Sequence, residues 1–553
     1  MGIFQSAITS LKAGAMSLAG YSGTRDAARH DQAETAGWNP GIRFPGPQRS
    51  GEWETITGRA RHLDENNGWI NGGIDRRVES VIGVNVRLNA QPAYRLLKRD
   101  YDWRMNWSAD VQARFDLWAN DIEHRNDAQG QLTFGAQVRL AYLQYVRDGE
   151  ACAEIRDRDG LPNTTNVLLI EPERISTPDY LGALEGVEVR NGIRIEEDGR
   201  AVGAYVRSGH PNDPNPTLRN QRWDYVPFRG PTGRAKFVHV FSPRRAQQNR
   251  GISKLAEAMV PAKMLDRYDR AEVNAAIRSA IYSLFIRSPG TTDDVAAALA
   301  PGSNDAAANS WIEPYMQLRK DNPISISDMN VFQLLPGEEV ETPERGSPNS
   351  NYPEFTRIIL QKIAGSLGVS FPQISQDWAG INYSSARALL NEMWRSYLED
   401  RRFFTQHFLT PIYAAWLEME VANGDVKVPG GPVNFYRMKT AICRCDWIGP
   451  GRGTVDPKKE ADANNLDTAA GRKSTVQIIQ EDTGRDPDDV MAEESWFQKE
   501  REARGLGQPN HNVKADDAAA EDGGEGSGTE DDRDGDGVPN EGQKRRKQDE
   551  VAA

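Results

Sequence analysis

The chain has 553 residues, 38% of them hydrophobic and 27% charged, too many for one ordinary compact core, which predicts several domains. Its formal charge of −13 argues against a protein that wraps nucleic acid, because such affinity comes from Lys and Arg neutralising phosphates. Three cysteines, Cys152, Cys443 and Cys445, cannot build a disulfide scaffold, and no apolar run reaches the roughly 18 residues of a membrane span. The opening MGIFQSAITSLKAGAMSLAG lacks a basic region and a long apolar core, so a secretory signal is not expected and the cytoplasm is the default compartment.

Residues 1–50 start with a short amphipathic pattern (Ile3, Phe4, Ile8, Leu11) and continue through WNPGIRFPGPQRSGEW, whose prolines and glycines predict an extended connector. From Glu54 to Val81, Ala60, Leu63, Trp69, Ile70, Ile74 and Val78 recur at helical spacing around an expected break at Gly72-Gly73. Residues 107–147 predict one or two further helices. From about 150 to 241 the pattern changes to short apolar runs with turns between them: CAEIR, NVLLIEPERI, GIRIEEDGRAVGAYV and KFVHVF. These predict strands, with EEDGR as a hairpin turn, and the order of helices, strands and helices predicts a mixed α+β fold.

A long helix is predicted from Lys254 to Ile286, with an apolar stripe of Leu255, Met259, Leu265, Tyr268, Val273, Ile277, Ile281 and Phe285 and a kink at Pro261. At 1.5 Å per residue it would extend about 45 Å, which implies something elongated. A low-hydrophobicity insert, a strand and a Pro/Gly-rich loop follow. Residues 353–420 carry two helical stripes, one from Phe355, Ile358, Ile359, Ile363 and Leu367, the other from Ala386, Leu389, Leu390, Met393, Trp394, Tyr397 and Leu398. Between them stands the polar run Asn382-Tyr383-Ser384-Ser385, where Asn382 or Ser384 would cap the second helix. FLTPIYAAWLEMEVANG then ends in a glycine stop, and a last helical stretch is predicted to about residue 503. Residues 511–553 hold thirteen Asp or Glu, six Lys or Arg and no aromatic residue, so they are expected to be disordered and dispensable for assembly.

Candidate chemistry is sparse. Ser384 and Ser385 have no base near in sequence; the nearest histidine is His407. Cys443 and Cys445 lack the second ligand pair of a zinc site, and AAGRKSTV lacks the glycine spacing of a phosphate loop. In the tail, Asp532, Asp534, Asp536 and Gly537 match the first positions of a calcium loop, but Gln543 stands where the bidentate Glu belongs. The basic run KRRK at 544–547 reads as a surface feature. No catalytic residue, cofactor or metal is therefore expected, and a non-enzymatic assembly protein leads. The alternative is a hydrolase or transferase whose site is assembled from residues distant in sequence, bringing His62, His239 or His407 beside a nucleophile.

Five blocks resemble the portal proteins of lambda-like tailed bacteriophages. They are RARHLDENNGWINGGIDRRVESVIG (59–83), FSPRRAQQNRGISKLAEAM (241–259), LLPGEEVE (334–341), IAGSLGVSFPQISQDWAGINYSSARALLNEMWR (363–395) and WIGPGRGTVDPKKEADA (447–463). The resemblance covers roughly residues 20–505 and singles out Asn66, Asn67, Arg250, Gly251, Pro336, Gly337, Glu338, Asn382, Tyr383, Ser384, Ser385, Arg387, Trp394, Asp456, Pro457, Lys459 and Glu460 as structural motif positions. It implies a portal fold with wing, long-helix stem, clip and helical crown, closed into a cyclic ring, expected to be a dodecamer. The implied divisions are an N-terminal extension (1–50), a mixed α/β wing body (51–250), a stem helix (251–286), a clip (287–325), stem return, channel-side loop and wing helices (326–420), a C-terminal crown region (421–510) and an acidic tail (511–553). Such a ring would sit at the portal vertex of the virion, after assembly in the host cytoplasm. It would pass double-stranded DNA without reading its sequence and dock the terminase large subunit, capsid or scaffolding protein and head-completion or adaptor proteins, with no membrane involved.

Overall fold

A computed structural model describes residues 50–158, 164–179, 188–214, 222–281, 285–287, 339–341, 351–379, 382–451, 457–475 and 487–506, with isolated positions 317 and 478. Pro336-Gly337-Glu338, Asp456, nearly all of 287–325 and the whole of 511–553, including the calcium-loop candidate, lie outside the described residues. The chain divides into two compact units, Met1–Pro457 and Lys458–Ala553.

The first unit begins with α1 (Ser50–Asn66) and α2 (Gly68–Val81). The break falls at Asn67 and not at the expected glycine pair, because the Asn67 side chain caps α2 by accepting from Ile70 N at 2.9 Å. Gly72 and Gly73 lie inside α2. A Cβ on Gly73 would come within 2.6 Å of Leu367 Cδ1 and 3.2 Å of Ile374 Cδ1, so this glycine permits close helix packing. β1 (Arg87–Ala90), α3 (Tyr101–Ala119) and α4 (Phe134–Arg147) follow, the last two capped by Asp100 and Thr133.

The strand-rich region contains β2 (Glu150–Arg158), β3 (Thr164–Ile170), β4 (Glu188–Arg190), β5 (Ile193–Ile195), β6 (Ala201–Arg207), β7 (Trp223–Pro227) and β8 (Phe237–Phe241). They form an antiparallel three-stranded sheet, β3-β2-β8, and an antiparallel four-stranded meander, β4-β5-β6-β7. The predicted EEDGR turn joins β5 to β6, with Gly199 at φ +83°. Cys152, Leu168, Ile170, Ile193, Ala204, Val206 and Phe237 pack together as a small core of these two sheets.

α5 (Met259–Ile281) is shorter than predicted at both ends. Lys254 to Ala258 form turns, so Pro261 sits in the first helical turn, where an N–H has no intrahelical partner, and no kink is called for. Its 23 residues span about 35 Å. Phe285 is not on the helix; Phe285–Arg287 forms β9, paired antiparallel with β10 (Glu339–Glu341). The apolar face of α5 is buried at Met259, Ala262 and Leu265 but open at Val273 and Ile277.

α6 (Tyr352–Leu367) and the short α7 (Phe371–Ser375) lead to α8 (Tyr383–Phe404), a π turn (Thr405–Leu409) and α9 (Thr410–Asn423). Gly424, at φ +86°, supplies the predicted stop, its N–H closing on Glu420 O and Val421 O. After α10 (Gly431–Arg437) and α11 (Lys439–Ile442), β11 (Cys445–Ile448) pairs antiparallel with β1. The main core joins α1–α4, α6, α8, α9 and β11, with Phe115 touching the rings of Trp118, Phe134, Tyr413, Trp416 and Trp447. In the second unit α12 (Pro457–Ala469), which starts at the boundary, and α13 (Pro487–Ala503) are helical as expected.

Candidate functional site: two buried ionic joints

The first joint is built where two glycines let the backbone close. A Cβ on Gly149, at φ +92°, would run into the Ile252 backbone, and one on Gly251 would run into Gly149 O. This contact sets Glu150, at the start of β2, against Arg250. Arg250 Nε donates to Glu150 Oε1 at 2.8 Å, and its other nitrogens donate to the carbonyls of Ile175, Asn191 and Pro172 at 2.9–3.0 Å. His239 Nε2 lies 2.8 Å from Glu150 Oε2, and Gly251 N donates to the same oxygen at 2.9 Å. The Trp53 ring covers the guanidinium at 4.6 Å, while its indole N–H donates to Gly251 O. Burial by itself would raise the Glu150 carboxyl, but Arg250 and His239 outweigh it and hold the group at about 2.

Asp400, one turn from the end of α8, is the centre of the second joint. Arg77 of α2 donates to it at 2.9 Å and Lys254 at 3.0 Å, and the Tyr142 hydroxyl of α4 also donates. Arg77 additionally donates to the carbonyls of Leu367 and Gly368 at the end of α6. Next door, Arg401 donates to Val81 O at 2.6 Å and Ser80 O at 3.0 Å, closing the end of α2, and its guanidinium lies 5.2 Å from the Trp394 ring. Burial opposes charge on Asp400, yet Lys254 and Arg77 bring the carboxyl down to about 2. Burial and the neighbouring Arg77 pull the Lys254 ammonium down to about 8 against the attraction of Asp400. Every charge here has partners, which is the condition for tolerating it inside a protein.

The motif positions divide between these joints and the surface. Arg250 and Gly251 belong to the first joint. Asn67 caps α2 and also donates to Asp266 of α5 at 2.6 Å, whereas Asn66 is exposed and its side chain donates to His62 O. Asn382 caps α8: its Oδ1 accepts from Ser385 N and Ser385 Oγ, both at 2.8 Å. Ser384 and Ser385 are exposed, Arg387 and Trp394 half-buried; Tyr383 opens α8, and Pro457, Lys459 and Glu460 open α12. Sequence reasoning missed Glu150, Asp400, Arg77 and Lys254.

Of the three histidines of the enzymatic alternative, only His239 is seen opposite a thiol among the described residues, standing across the β2–β8 pair from Cys152, and burial pushes that thiol well up, which disfavours a thiolate. His62 is exposed on α1, His239 is committed to Glu150, and His407 is exposed with Nδ1 at Phe403 O. Burial pushes the Cys443 thiol up, and Cys445 to about 12, which disfavours thiolates. Glu171, Glu173 and His210 come together, but His210 Nδ1 accepts from Asn212 N at 3.1 Å, which leaves the ring proton on Nε2, facing Glu173. That nitrogen has no lone pair for a metal, and Glu173 already receives Arg61 at 2.8 Å. No helix of the described residues is long and apolar enough to cross a membrane.

In the first unit, then, one ionic joint is centred on Glu150 and Arg250 and the other on Asp400 with Arg77 and Lys254. The family model for phage portal proteins of the lambda family matches residues 31–401, and the chain belongs to that family. The portal protein of Escherichia phage N15 is 28% identical over 502 residues, covering 90% of this chain and 93% of its own length. Portal protein B of Escherichia phage lambda is 28% identical over 503 residues, with the same coverage of 90% and 93%. A chain in the neck of a native gene transfer agent particle, computed with C12 symmetry, has 13% identity, covers 79% of this chain and 92% of its own, and gives a TM-score of 0.39. Membership makes this a phage portal protein, serving viral DNA packaging at the virion's portal vertex, and nothing in these similarities points to a hydrolase or transferase.

Proposed function

We propose that copies of this chain close into a cyclic ring, a dodecamer, whose axial channel passes double-stranded DNA during packaging and ejection. Family membership over residues 31–401 carries this reading. The open apolar positions of α5 support it: Val273 and Ile277, one turn apart, are 57% and 50% exposed in the single chain. A formal charge of −13 suits a channel that lets phosphate slide without holding it. The ring docks the terminase large subunit during packaging, capsid or scaffolding protein during assembly in the host cytoplasm, and head-completion proteins afterwards. It turns over no ATP itself; the motor does.

Class averages of the purified chain by electron microscopy test this reading. A ring with an axial hole is expected; particles of one or two chains across a range of salt and protein concentration would contradict it. Robust ATP turnover by the purified chain, lost on substitution of one of its residues, would contradict the non-enzymatic part.

A further inference from the structure

A cleft opens between the β5–β6 hairpin end of the four-stranded sheet and the 247–249 turn. Its lining carries two half-buried rings, Phe228 and Phe241, with the buried His239 ring between them, 5.0 Å from Phe241 and 6.5 Å from Phe228. Its charged lining is three glutamates, Glu188, Glu196 and Glu197, against one cation, Arg190, so the rim is acidic on balance. Glu188 pairs with Arg190 and Glu196 with Arg200, whereas Glu197 forms no ion pair among the described residues. Aromatic floors with acidic rims suit an extended, proline-rich strand bearing cations, since such a strand loses little conformational entropy on docking.

The chain itself carries a segment of that composition immediately before α1 in sequence. Trp38 to Arg49 reads WNPGIRFPGPQR, with three prolines, two arginines, two aromatics and no acid. It enters α1 one turn before Trp53, which lies on Arg250, and Asn249, the residue before Arg250, lines the cleft and donates to Arg190 O at 3.0 Å. At about 3.1 Å per residue in the extended proline conformation, the seven residues from Arg43 to Arg49 reach roughly 20 Å. We infer that this cleft is the docking groove for the chain's own segment 38–49, with its arginines at the glutamate rim and its proline-flanked Phe44 on the ring floor.

The test is made in the full chain carrying Arg43→Cys with Glu197→Cys, treated with a short thiol crosslinker, using a mixture of isotopically light and heavy chains. The native thiols do not compete, because burial raises all three. Links between 43 and 197 within one chain are expected at several times the yield of a control pairing Arg43→Cys with Asp110→Cys on the exposed face of α3. Adding Glu196→Lys, at an exposed position, should cut that yield several-fold. Equal yields for both pairs, a light–heavy share of about one half in an equal mixture, as links between copies would give, or a yield indifferent to Glu196→Lys would each overturn the inference.

Discussion

At its C-terminal end α8 is fixed: Asp400 takes donors from α2, α4 and the turn before α5, and Arg401 closes on the end of α2. Along the same helix Leu398 is 43% and Leu390 37% exposed, and Trp394 is only half-buried. α5 repeats the contrast, anchored through Leu255, Met259 and Leu265 yet open at Val273 and Ile277. The two joints thus pair their buried carboxylates, Glu150 and Asp400, within the chain, while apolar side chains of α5 and α8 are left uncovered. Charges must be paired within one chain because an unpaired buried ion is too costly to await a partner, whereas an exposed leucine costs little until another surface arrives.

The contrast is broken most severely at the first joint. Arg250→Met keeps most of the volume but leaves Glu150 buried without its main counter-charge, and should destabilise the chain by about 3–5 kcal/mol in denaturant unfolding. Acid should undo both joints without mutation. Glu150 and Asp400 bind protons more weakly folded than unfolded, so the unfolded chain takes them up first as pH falls. Their stabilisation is complete above the ordinary carboxylate range, declines as pH drops from about 4.5 towards about 2, and is gone below that. Unfolding free energy followed against pH checks this, and Asp400→Asn should flatten part of the decline.

The open face should respond differently. Trp394→Ala would cost about 3–5 kcal/mol at a fully buried site. In the single chain, where the ring is half-buried and lies beside Arg401, a loss of about half that is expected, with a further loss in ring assembly. The smallest effect belongs to the cap: Asn382→Ala should cost about 1 kcal/mol, and Ser385→Ala, which removes one exposed hydrogen bond, less. Thermal unfolding of the two variants side by side orders them.

The sequence made the local features legible and the joints opaque. The Asn382 cap, the EEDGR hairpin and the Gly424 stop each depend on neighbours within a few residues, so their residue types announce them. Pro261 misled because its meaning depends on where the helix starts, and α5 begins at Met259, after the turn from Lys254 to Ala258. Gly72-Gly73 misled for a related reason: the close neighbours of Gly73 are Leu367 and Ile374, far along the chain. Arg250 was visible as a motif residue, but its partner Glu150 is 100 residues away, and Arg77 lies 323 residues from Asp400. Ion pairs at such separations leave no periodicity or spacing to read.

Hydrogen exchange along α8, measured in dissociated chains and in assembled rings, tests most directly whether the joint belongs to the chain and the open face to the assembly. Residues around Asp400 should be protected equally in both states, whereas 386–398 should gain protection only in the ring. Protection of 386–398 already complete in the single chain, or gained in step with the Asp400 end, would contradict that division.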